Sequence, residues 1–449
     1  MSGLIIRNGR VICPATHRDE IAEVWIEGGI ISRVVPGSGR VAPGSGSPPG
    51  PGDSTGYETV DASGLIVAPG FIDLHTHLRE PGREDCETIE SGGAAAAAGG
   101  FTSICAMPNT QPVNDGVSVT QFILQRARSH SPVRVFPIAA VTLASAGEVR
   151  TDFEELMAAG AVGFSDDGKA VKTDTLMRDA LRDAKRLGTF VSDHCEDLSL
   201  TEGAVMNEGE VSRALEVPGL PPVAEDAVVE RDIRIAQETA GHAHIAHLST
   251  AGALDLVRWA KHRGTNITCE VAPHHFTLVE GDVRRYGANA KMKPPLRTPR
   301  DVEALVEGLA DGTVDAIATD HAPHSAVEKG RGLSAAPFGI TGLETAVSLA
   351  IQRLVQPAKL GWGRLVELFS ANPARILQRH DLGRIEQGAL ADLTIIDPAT
   401  EWTFRAAGSR SKSQNSPFDG WTFRGKVVMT VVGGKVVFDA RACLPSGRM

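Results

Sequence analysis

The chain has 449 residues, a formal net charge of −10 and 42% hydrophobic residues, so it can bury a sizeable core in one large or several smaller domains. Lysine and arginine are scattered, which excludes the basic stripe that nucleic-acid binding needs. No apolar run reaches the roughly 18 to 20 residues of a membrane span, and no signal peptide is evident. Six sparse cysteines without a CxxC pair predict reduced thiols. We expect a cytoplasmic protein without nucleic-acid or membrane partners.

The two ends of the chain resemble each other in pattern. Short alternating strands are predicted at the start, and strand-like pieces return after a last helical pattern near 364–380. A stretch rich in glycine and proline at 36–57 has little to bury and is expected to be a flexible loop. We therefore expect residues 1–67 and 382–449 to pair into one small β-sandwich domain.

Between these ends, residues 68–381 alternate short apolar runs with helical patterns, as in consecutive βαβ units. Three helical segments, at 173–188, 227–241 and 300–312, close with a glycine suited to a C-terminal cap. The apolar runs span residues 71–77, 102–109, 133–141, 161–167, 189–196, 243–249, 267–274 and 315–323. Eight strands interleaved with helices predict an α/β fold of the (β/α)8 TIM-barrel type, flanked by the β domain.

Polar residues gather where five of these predicted strands end. The first strand ends in His75 and His77, and the strand period of two points both side chains to the same side. The others end in Asp166 and Asp167, in His194, in His247, and in Asp320 with His321 and His324. Because the C-terminal ends of barrel strands meet at one mouth, we expect these groups to converge.

Nitrogen and oxygen donors of this kind suit Zn²⁺ or a similar divalent ion. Four histidines with two or three carboxylates are too many for one tetrahedral ion, so the pattern predicts a two-metal site with a bridging carboxylate and hydroxide. Each motif alone has a simpler interpretation, such as a hydrogen-bonded core histidine, a solvated turn or a helix cap. Their location at the same end of five strands favours the metal site.

Seven motifs carry a family resemblance. They are, in chain order, DLHTHLREPG, AMPNTQPV, GFSDDG, DHCED, HIAHLST, KPPLR and ATDHAPH. Together they resemble the class I bacterial dihydroorotases of the amidohydrolase superfamily, from about residue 3 to 440 apart from the glycine- and proline-rich insertion.

The resemblance implies a ligand set for the metal. In it His75, His77 and Asp320 hold one zinc ion, His194 and His247 hold a second, and Asp167 bridges them. Many relatives use a carbamylated lysine as the bridge, but Lys169 lies past the turn, so we expect no carbamate there.

The reaction that the resemblance implies is the reversible ring closure of N-carbamoyl-L-aspartate to L-dihydroorotate and water, in pyrimidine (UMP) biosynthesis. Metal coordination supplies a nucleophile at neutral pH. Asp320 would be the catalytic residue that carries a proton between water and the amide nitrogen. Arg79 would bind the substrate carboxylate through its planar fork, with Asn109 and His324 completing the pocket. A surface salt bridge, a turn asparagine and a solvated histidine are the simpler alternatives.

Two more parts of the pocket follow from the resemblance. The backbone at Phe338 and Gly339 would contact the pyrimidine ring, although Gly339 also fits a plain left-handed turn. In KMKPPLR, Lys293 stands where many relatives have a substrate-contacting asparagine, and an ammonium could still donate to a ring carbonyl. His274 and His275 fit no ligand position and are expected to be structural.

Two other functions are weighed against this one. Allantoinase or dihydropyrimidinase activity is opposed by the missing bridging lysine, and by Arg79 with Asn109, which suit an acidic substrate. A catalytically silent homologue that scaffolds a carbamoyltransferase is opposed because every ligand position is filled. We expect a homodimer, with a complex with aspartate carbamoyltransferase as a further option.

Overall fold

The computed structural model describes residues 3–37 and 56–441. The flexible loop predicted at 36–57 falls almost wholly outside these residues. The chain begins with the strands β1 (Gly3–Cys13), β2 (Arg18–Glu27), β3 (Ile30–Pro36), β4 (Tyr57–Asp61) and β5 (Ile66–Pro69). β1 pairs antiparallel with β2 on one edge, and parallel with β4 and β5 on the other.

A nearly closed barrel of eight parallel strands follows. The barrel strands are β6 (Phe71–Thr76), β7 (Phe101–Ala106), β8 (Arg134–Ala139), β9 (Gly163–Phe164), β10 (Phe190–Asp193), β13 (His242–Ile245), β14 (Ile267–Val271) and β15 (Ala316–Ile317). Between β10 and β13 the chain forms a separate two-stranded sheet of β11 (Met206–Asn207) and β12 (Gly219–Leu220). A parallel bridge between Thr76 and His321 joins the first strand to the segment after the last. Every residue of β6 and β7 is buried, because helices cover the outer face of the sheet. All eight predicted strands are present, and the barrel is confirmed.

The strands end earlier than the apolar runs predicted. β9 and β15 have two residues each, and the chain leaves the sheet before it reaches Asp167 and Asp320. His247 and Asp320 adopt left-handed backbone conformations, with φ of 32° and 47°, which do not continue a strand. His75 lies within β6, and the other polar residues lie in the first positions of the loops above the barrel.

The helices occupy the connections between strands. They are α1 (Ile89–Ala98), α2 (Val117–His130), α3 (Phe153–Ala159), α4 (Asp174–Leu187), α5 (Glu210–Ala214), α6 (Val223–Thr239), α7 (Ala251–His262), α8 (Val283–Tyr286), α9 (Pro299–Asp311), α10 (Ala326–Lys329), α11 (Gly332–Ala335), α12 (Ala346–Ala350), which continues into the π turn Ile351–Val355, α13 (Trp362–Phe369) and α14 (Ala371–Ile376). None of the helices in the described part of the chain is long and apolar enough to cross a lipid bilayer.

Two helix ends differ from the sequence predictions. Gly188 and Gly312 cap α4 and α9 as expected, but the glycine cap predicted for α6 is wrong, since Ala240 is its left-handed cap residue. Gly241 is needed for packing instead, because a Cβ there would lie 2.4 Å from the Leu181 carbonyl oxygen. The helical pattern near 364–380 is interrupted at Ser370, which places Pro373 in the first turn of α14, where its missing N–H is tolerated.

The chain ends in β16 (Leu393–Thr403), β17 (Thr422–Val432) and β18 (Lys435–Asp439). β16 pairs antiparallel with β5, so the two ends share one mixed sheet in the order β18-β17-β16-β5-β1-β2-β3, with β4 on β1. Ile6, Val24, Ile395 and Met429 belong to its common apolar core. The β domain built from both chain ends is confirmed. The five cysteines in the described ranges are buried and free of disulfides.

Candidate active site

Six titratable residues meet at the C-terminal mouth of the barrel, and each residue is no more than 6% exposed. They are His75, His77, Asp167, His194, His247 and Asp320. One carboxylate lies at their centre. Oδ1 of Asp167 is 3.3 Å from Nε2 of His75, 3.5 Å from Nδ1 of His194 and 3.4 Å from Nε2 of His247. Its Oδ2 is 3.5 Å from Nε2 of His77. Both oxygens of Asp167 therefore face histidine nitrogens of the cluster.

The remaining donors divide into two groups around Asp167. Oδ1 of Asp320 is 3.2 Å from Nε2 of His77 and 3.7 Å from Nε2 of His75. On the other side, Nδ1 of His194 and Nε2 of His247 are 3.0 Å apart. Ligands 2.0 to 2.1 Å from a tetrahedral zinc ion lie about 3.3 Å from one another. Both groups have the spacing of ligands to a common ion.

The outer nitrogens of three histidines determine which nitrogen faces the centre. Nδ1 of His75 donates to Glu270, Nδ1 of His77 to the Asn109 amide oxygen, and Nε2 of His194 to Glu196, over 2.9, 2.8 and 3.1 Å. When each of these rings is neutral with its proton on the outer nitrogen, the opposite nitrogen carries a lone pair directed at a carboxylate oxygen. Lone pairs that face one another repel unless a cation lies between them. The tautomers thus fit a metal centre.

One buried atom supports the same interpretation. Nε2 of His75 has no hydrogen-bond partner within residues 3–37 and 56–441, although a buried polar atom without a partner is costly. An imidazole nitrogen of this kind is a suitable ligand for a divalent metal ion.

A cavity of about 350 Å³ adjoins the cluster, and Arg79 and His324 form part of its wall. Nε of Arg79 donates to the Pro323 carbonyl at 3.1 Å, and an Nη of the same group lies 3.3 Å from Nε2 of His324. No carboxylate in the described part of the chain forms an ion pair with this guanidinium. Burial and the charge of Arg79 lower the pKa of His324 to about 3, so the imidazole is neutral near pH 7. The cavity therefore offers a cation without a carboxylate partner beside the histidine and aspartate cluster.

The segment at Phe338 and Gly339 lines the same cavity beside His324, whose Nε2 is 2.7 Å from the Phe338 carbonyl oxygen. Gly339 has φ of 119°, and a Cβ there would lie 2.5 Å from the Ala322 Cβ, so only glycine fits. Asn415, from the loop between β16 and β17, donates to the Gly339 and Ala322 carbonyls at 3.1 and 3.0 Å. The side-chain oxygen of Asn415 accepts a hydrogen bond from the backbone N–H of His324 at 3.1 Å. The C-terminal part of the chain thus fixes this wall.

Comparison with known proteins places this arrangement in a family. A family model described as dihydro-orotase-like matches residues 64–253. A curated dihydroorotase of Geobacter metallireducens is 49% identical over 435 residues, which cover 97% of this chain and 99% of the relative. A dihydroorotase of Solibacter usitatus is 47% identical over 431 residues, 96% of this chain and 97% of the relative. The chain belongs to the dihydroorotase family.

Solved structures agree with the fold of this dihydroorotase-family chain. An L-hydantoinase (dihydropyrimidinase) from Arthrobacter aurescens superposes with a TM-score of 0.86 at 24% identity, over 98% of this chain and 96% of the other. A D-hydantoinase from a Thermus species superposes with a TM-score of 0.81 at 28% identity, over 97% and 95%. The first likeness concerns the fold alone. With the curated relatives, these findings make the chain a cyclic amidohydrolase, of a class whose members depend on metal.

Sequence reasoning missed Glu270, which contacts the outer nitrogen of His75. Its carboxylate accepts from His75 and, at 3.1 Å, from Nε2 of His244. Burial opposes ionisation, but the hydrogen bonds from His244 and His75 outweigh it and lower the pKa of Glu270 to about 2. The available signal was a glutamate in the middle of the apolar run ITCEVAPH.

We predict that Glu270→Gln weakens metal binding about 10- to 100-fold, because the amide has no full charge with which to orient His75. Isothermal titration of the metal-free protein with Zn²⁺ measures the effect. Glu303→Gln, on α9, is the matched control. Unchanged affinity in Glu270→Gln would show that Glu270 does not support His75.

Other predicted residues lie as follows in this dihydroorotase-family structure. Nζ of Lys169 donates to the Ser145 carbonyl at 3.1 Å. His275 donates from Nε2 to the Pro294 carbonyl at 3.0 Å, and its ring centre is 4.3 Å from that of His274. Nζ of Lys293 lies 2.9 Å from a carboxylate, that of Glu196, a contact that sequence reasoning did not foresee.

Proposed function

We propose that the protein is a zinc-dependent dihydroorotase, which closes N-carbamoyl-L-aspartate reversibly to L-dihydroorotate and water. The observation that carries this proposal is the unpaired guanidinium of Arg79 in one cavity with four histidines and two aspartates. The cluster suits the activation of water, and the guanidinium suits a substrate with a free carboxylate. The names of the curated relatives support the same activity.

In this proposal His75, His77 and Asp320 hold one zinc ion, His194 and His247 hold a second, and Asp167 bridges them. The donor spacings and the histidine tautomers described above support it. A zinc ion in such a site lowers the pKa of its water from 15.7 toward about 7.

Asp320 is the proposed acid–base residue. Burial opposes its ionisation, whereas a metal ion held beside it would favour the carboxylate form. As a carboxylate it takes the proton of the attacking water during ring opening and gives it to the leaving ring nitrogen. During ring closure it takes the proton from the attacking ureido nitrogen and gives it to the carboxyl oxygen that leaves as water.

Arg79 binds the substrate carboxylate through two parallel N–H···O bonds, with Asn109 and His324 beside it. The backbone at Phe338 and Gly339 contacts the ring.

We predict that Arg79→Lys raises KM for N-carbamoyl-L-aspartate about tenfold or more and changes kcat much less, because an ammonium cannot reproduce the bidentate fork. Steady-state kinetics in both directions measure the split. The control is Arg83→Lys, whose guanidinium pairs with Asp85 and Glu328 instead. A fall in kcat with unchanged KM would contradict the role of Arg79 in binding.

The activity itself is tested with a substrate panel. The purified protein, with its zinc content measured, is offered N-carbamoyl-L-aspartate, dihydroorotate, allantoin and dihydrouracil separately. We expect turnover of the first two. Preferred turnover of allantoin or dihydrouracil would contradict the proposal, and inactivity of the zinc-loaded protein on all four would favour the silent homologue.

The homodimer and the complex with aspartate carbamoyltransferase stay predictions. Size-exclusion chromatography with light scattering distinguishes a monomer from a dimer. The same measurement on a mixture with the carbamoyltransferase detects a complex.

A further inference from the structure

Lys293 contacts the outer side of the candidate metal centre through one intermediate residue. Its Nζ is 2.9 Å from Oε1 of Glu196. The other oxygen of Glu196, Oε2, accepts from Nε2 of His194 at 3.1 Å. Nδ1 of His194 in turn faces Asp167 and His247. A continuous chain of polar contacts therefore joins the ammonium to the metal-facing nitrogen of His194.

The two oxygens of Glu196 have separate partners. Oε1 accepts from the Thr201 hydroxyl as well as from Lys293, which leaves Oε2 for His194. Glu196 is 5% exposed, so a carboxylate without these donors would be buried at a cost. Lys293 and Thr201 thus fix the rotation of the carboxylate, and the carboxylate fixes the orientation of the imidazole.

Within residues 3–37 and 56–441, Lys293 is the one lysine or arginine that forms an ion pair with Glu196. The side chain of Lys293 is 23% exposed, and its ammonium is 5.4 Å from the centre of the Phe338 ring. The ion pair with the buried Glu196 carboxylate is shorter and more favourable than the contact with the Phe338 ring. The geometry therefore commits this ammonium to Glu196.

We propose that Lys293 is a positioning residue for the second metal ion. Through Glu196 it orients His194, and so it raises the affinity of the ion that His194 and His247 hold. Recognition of the substrate carboxylate is left to Arg79. This inference rests on the two-ion centre of the proposed function.

The test measures zinc per chain for the whole protein, equilibrated over a range of buffered free-zinc concentrations. Lys293→Met removes the ammonium and keeps much of the length of the side chain. We expect the first ion to bind as in the wild type and the affinity for the second to fall about 10- to 100-fold, as for other outer-shell changes. Lys293→Arg, which keeps the charge, is expected to restore the second ion. Lys293→Gln is a second neutral variant if the methionine variant folds poorly.

Two further variants test the route through Glu196. Glu196→Gln is expected to reproduce the loss of the second ion, and the double variant Glu196→Gln/Lys293→Met to lose little more, because both changes interrupt one chain of contacts. Lys291→Met is the matched control. Lys291 lies two residues earlier, and its Nζ donates to the Ser334 carbonyl at 2.9 Å, so this variant is expected to keep both ions.

Three outcomes would overturn the inference. Lys293→Met could bind both ions like the wild type and show only a raised KM, which would make Lys293 a direct substrate contact. The double variant could lose far more affinity than either single one, which would break the route through Glu196. A wild type that binds one ion would overturn the inference together with the two-ion centre. A protein without dihydroorotase turnover whose second ion still depends on Lys293 would contradict only the proposed activity.

Discussion

Asp320→Asn is expected to keep its metal and to lose turnover, with kcat lower by about a hundredfold to ten-thousandfold, the usual contribution of a positioned acid–base group. The residue Asp320 is 6% exposed, and its Oδ1 lies 3.2 Å from Nε2 of His77. Asparagine keeps an oxygen at that place that can still coordinate an ion. It cannot accept a proton near neutral pH, so the step assigned to Asp320 stops.

Zinc content and kcat are measured on the same sample, in both directions of the reaction. Asp179→Asn is the control, since this carboxylate lies on the outer part of α4, is 48% exposed and pairs with Arg182 at 3.4 Å. Retained turnover in Asp320→Asn would remove Asp320 from proton transfer. Loss of zinc together with turnover would make its role as a ligand the dominant one.

Substitution of Arg297, the last residue of the motif KMKPPLR, is expected to lower the stability of the folded protein. The side chain of Arg297 is 3% exposed, and its guanidinium lies 3.2 Å from the Glu225 carboxylate. It also donates to Ser249 Oγ at 3.1 Å, to the Asn207 side chain at 2.8 Å and to the Leu220 carbonyl at 3.0 Å. Arg297→Met removes all these donors and leaves Glu225 as a buried, unpaired charge. We expect the free energy of unfolding to fall by about 3–5 kcal/mol.

Urea unfolding followed by circular dichroism and fluorescence measures this loss. Arg234→Met is the matched control, because Arg234 is 49% exposed and its ion pairs with Asp174 and Glu238 are worth about 1 kcal/mol or less. The double variant Arg297→Met/Glu225→Leu is expected to recover much of the stability, since both buried charges are gone. A loss in Arg297→Met no larger than in the control would contradict the expectation.

The barrel and the convergence of its polar residues could be predicted because both depend on local pattern. Parallel strands buried on both faces leave continuous apolar runs, as in VFPIA of β8. Because His75 and Asp320 lie at the ends of two predicted strands, the sequence was enough to predict that they meet at one mouth of the barrel. The exact strand ends were not predictable, because β15 already ends at Ile317 and Asp320 beyond it has a left-handed conformation, and the apolar pattern reveals neither.

The supporting residues were harder to find because their contacts join distant parts of the chain. Glu270 supports His75 across a separation of 195 residues, and the pair of Lys293 with Glu196 depends on how two loops meet above the barrel. A glutamate inside an apolar strand was the one visible signal. Lys293 could be recognised as unusual from its motif, while its partner could not be.

The contact of Asn415 with the wall of the site has a consequence for how this enzyme can be divided. The residue that holds the Gly339 and Ala322 carbonyls and the His324 N–H comes from the connection between the last long strands of the chain. A barrel excised from its C-terminal neighbour would keep every proposed zinc ligand and lose the support of the substrate side. The barrel is therefore not a portable catalytic module, and hybrids made by exchanging barrels between relatives need the matching C-terminal segment.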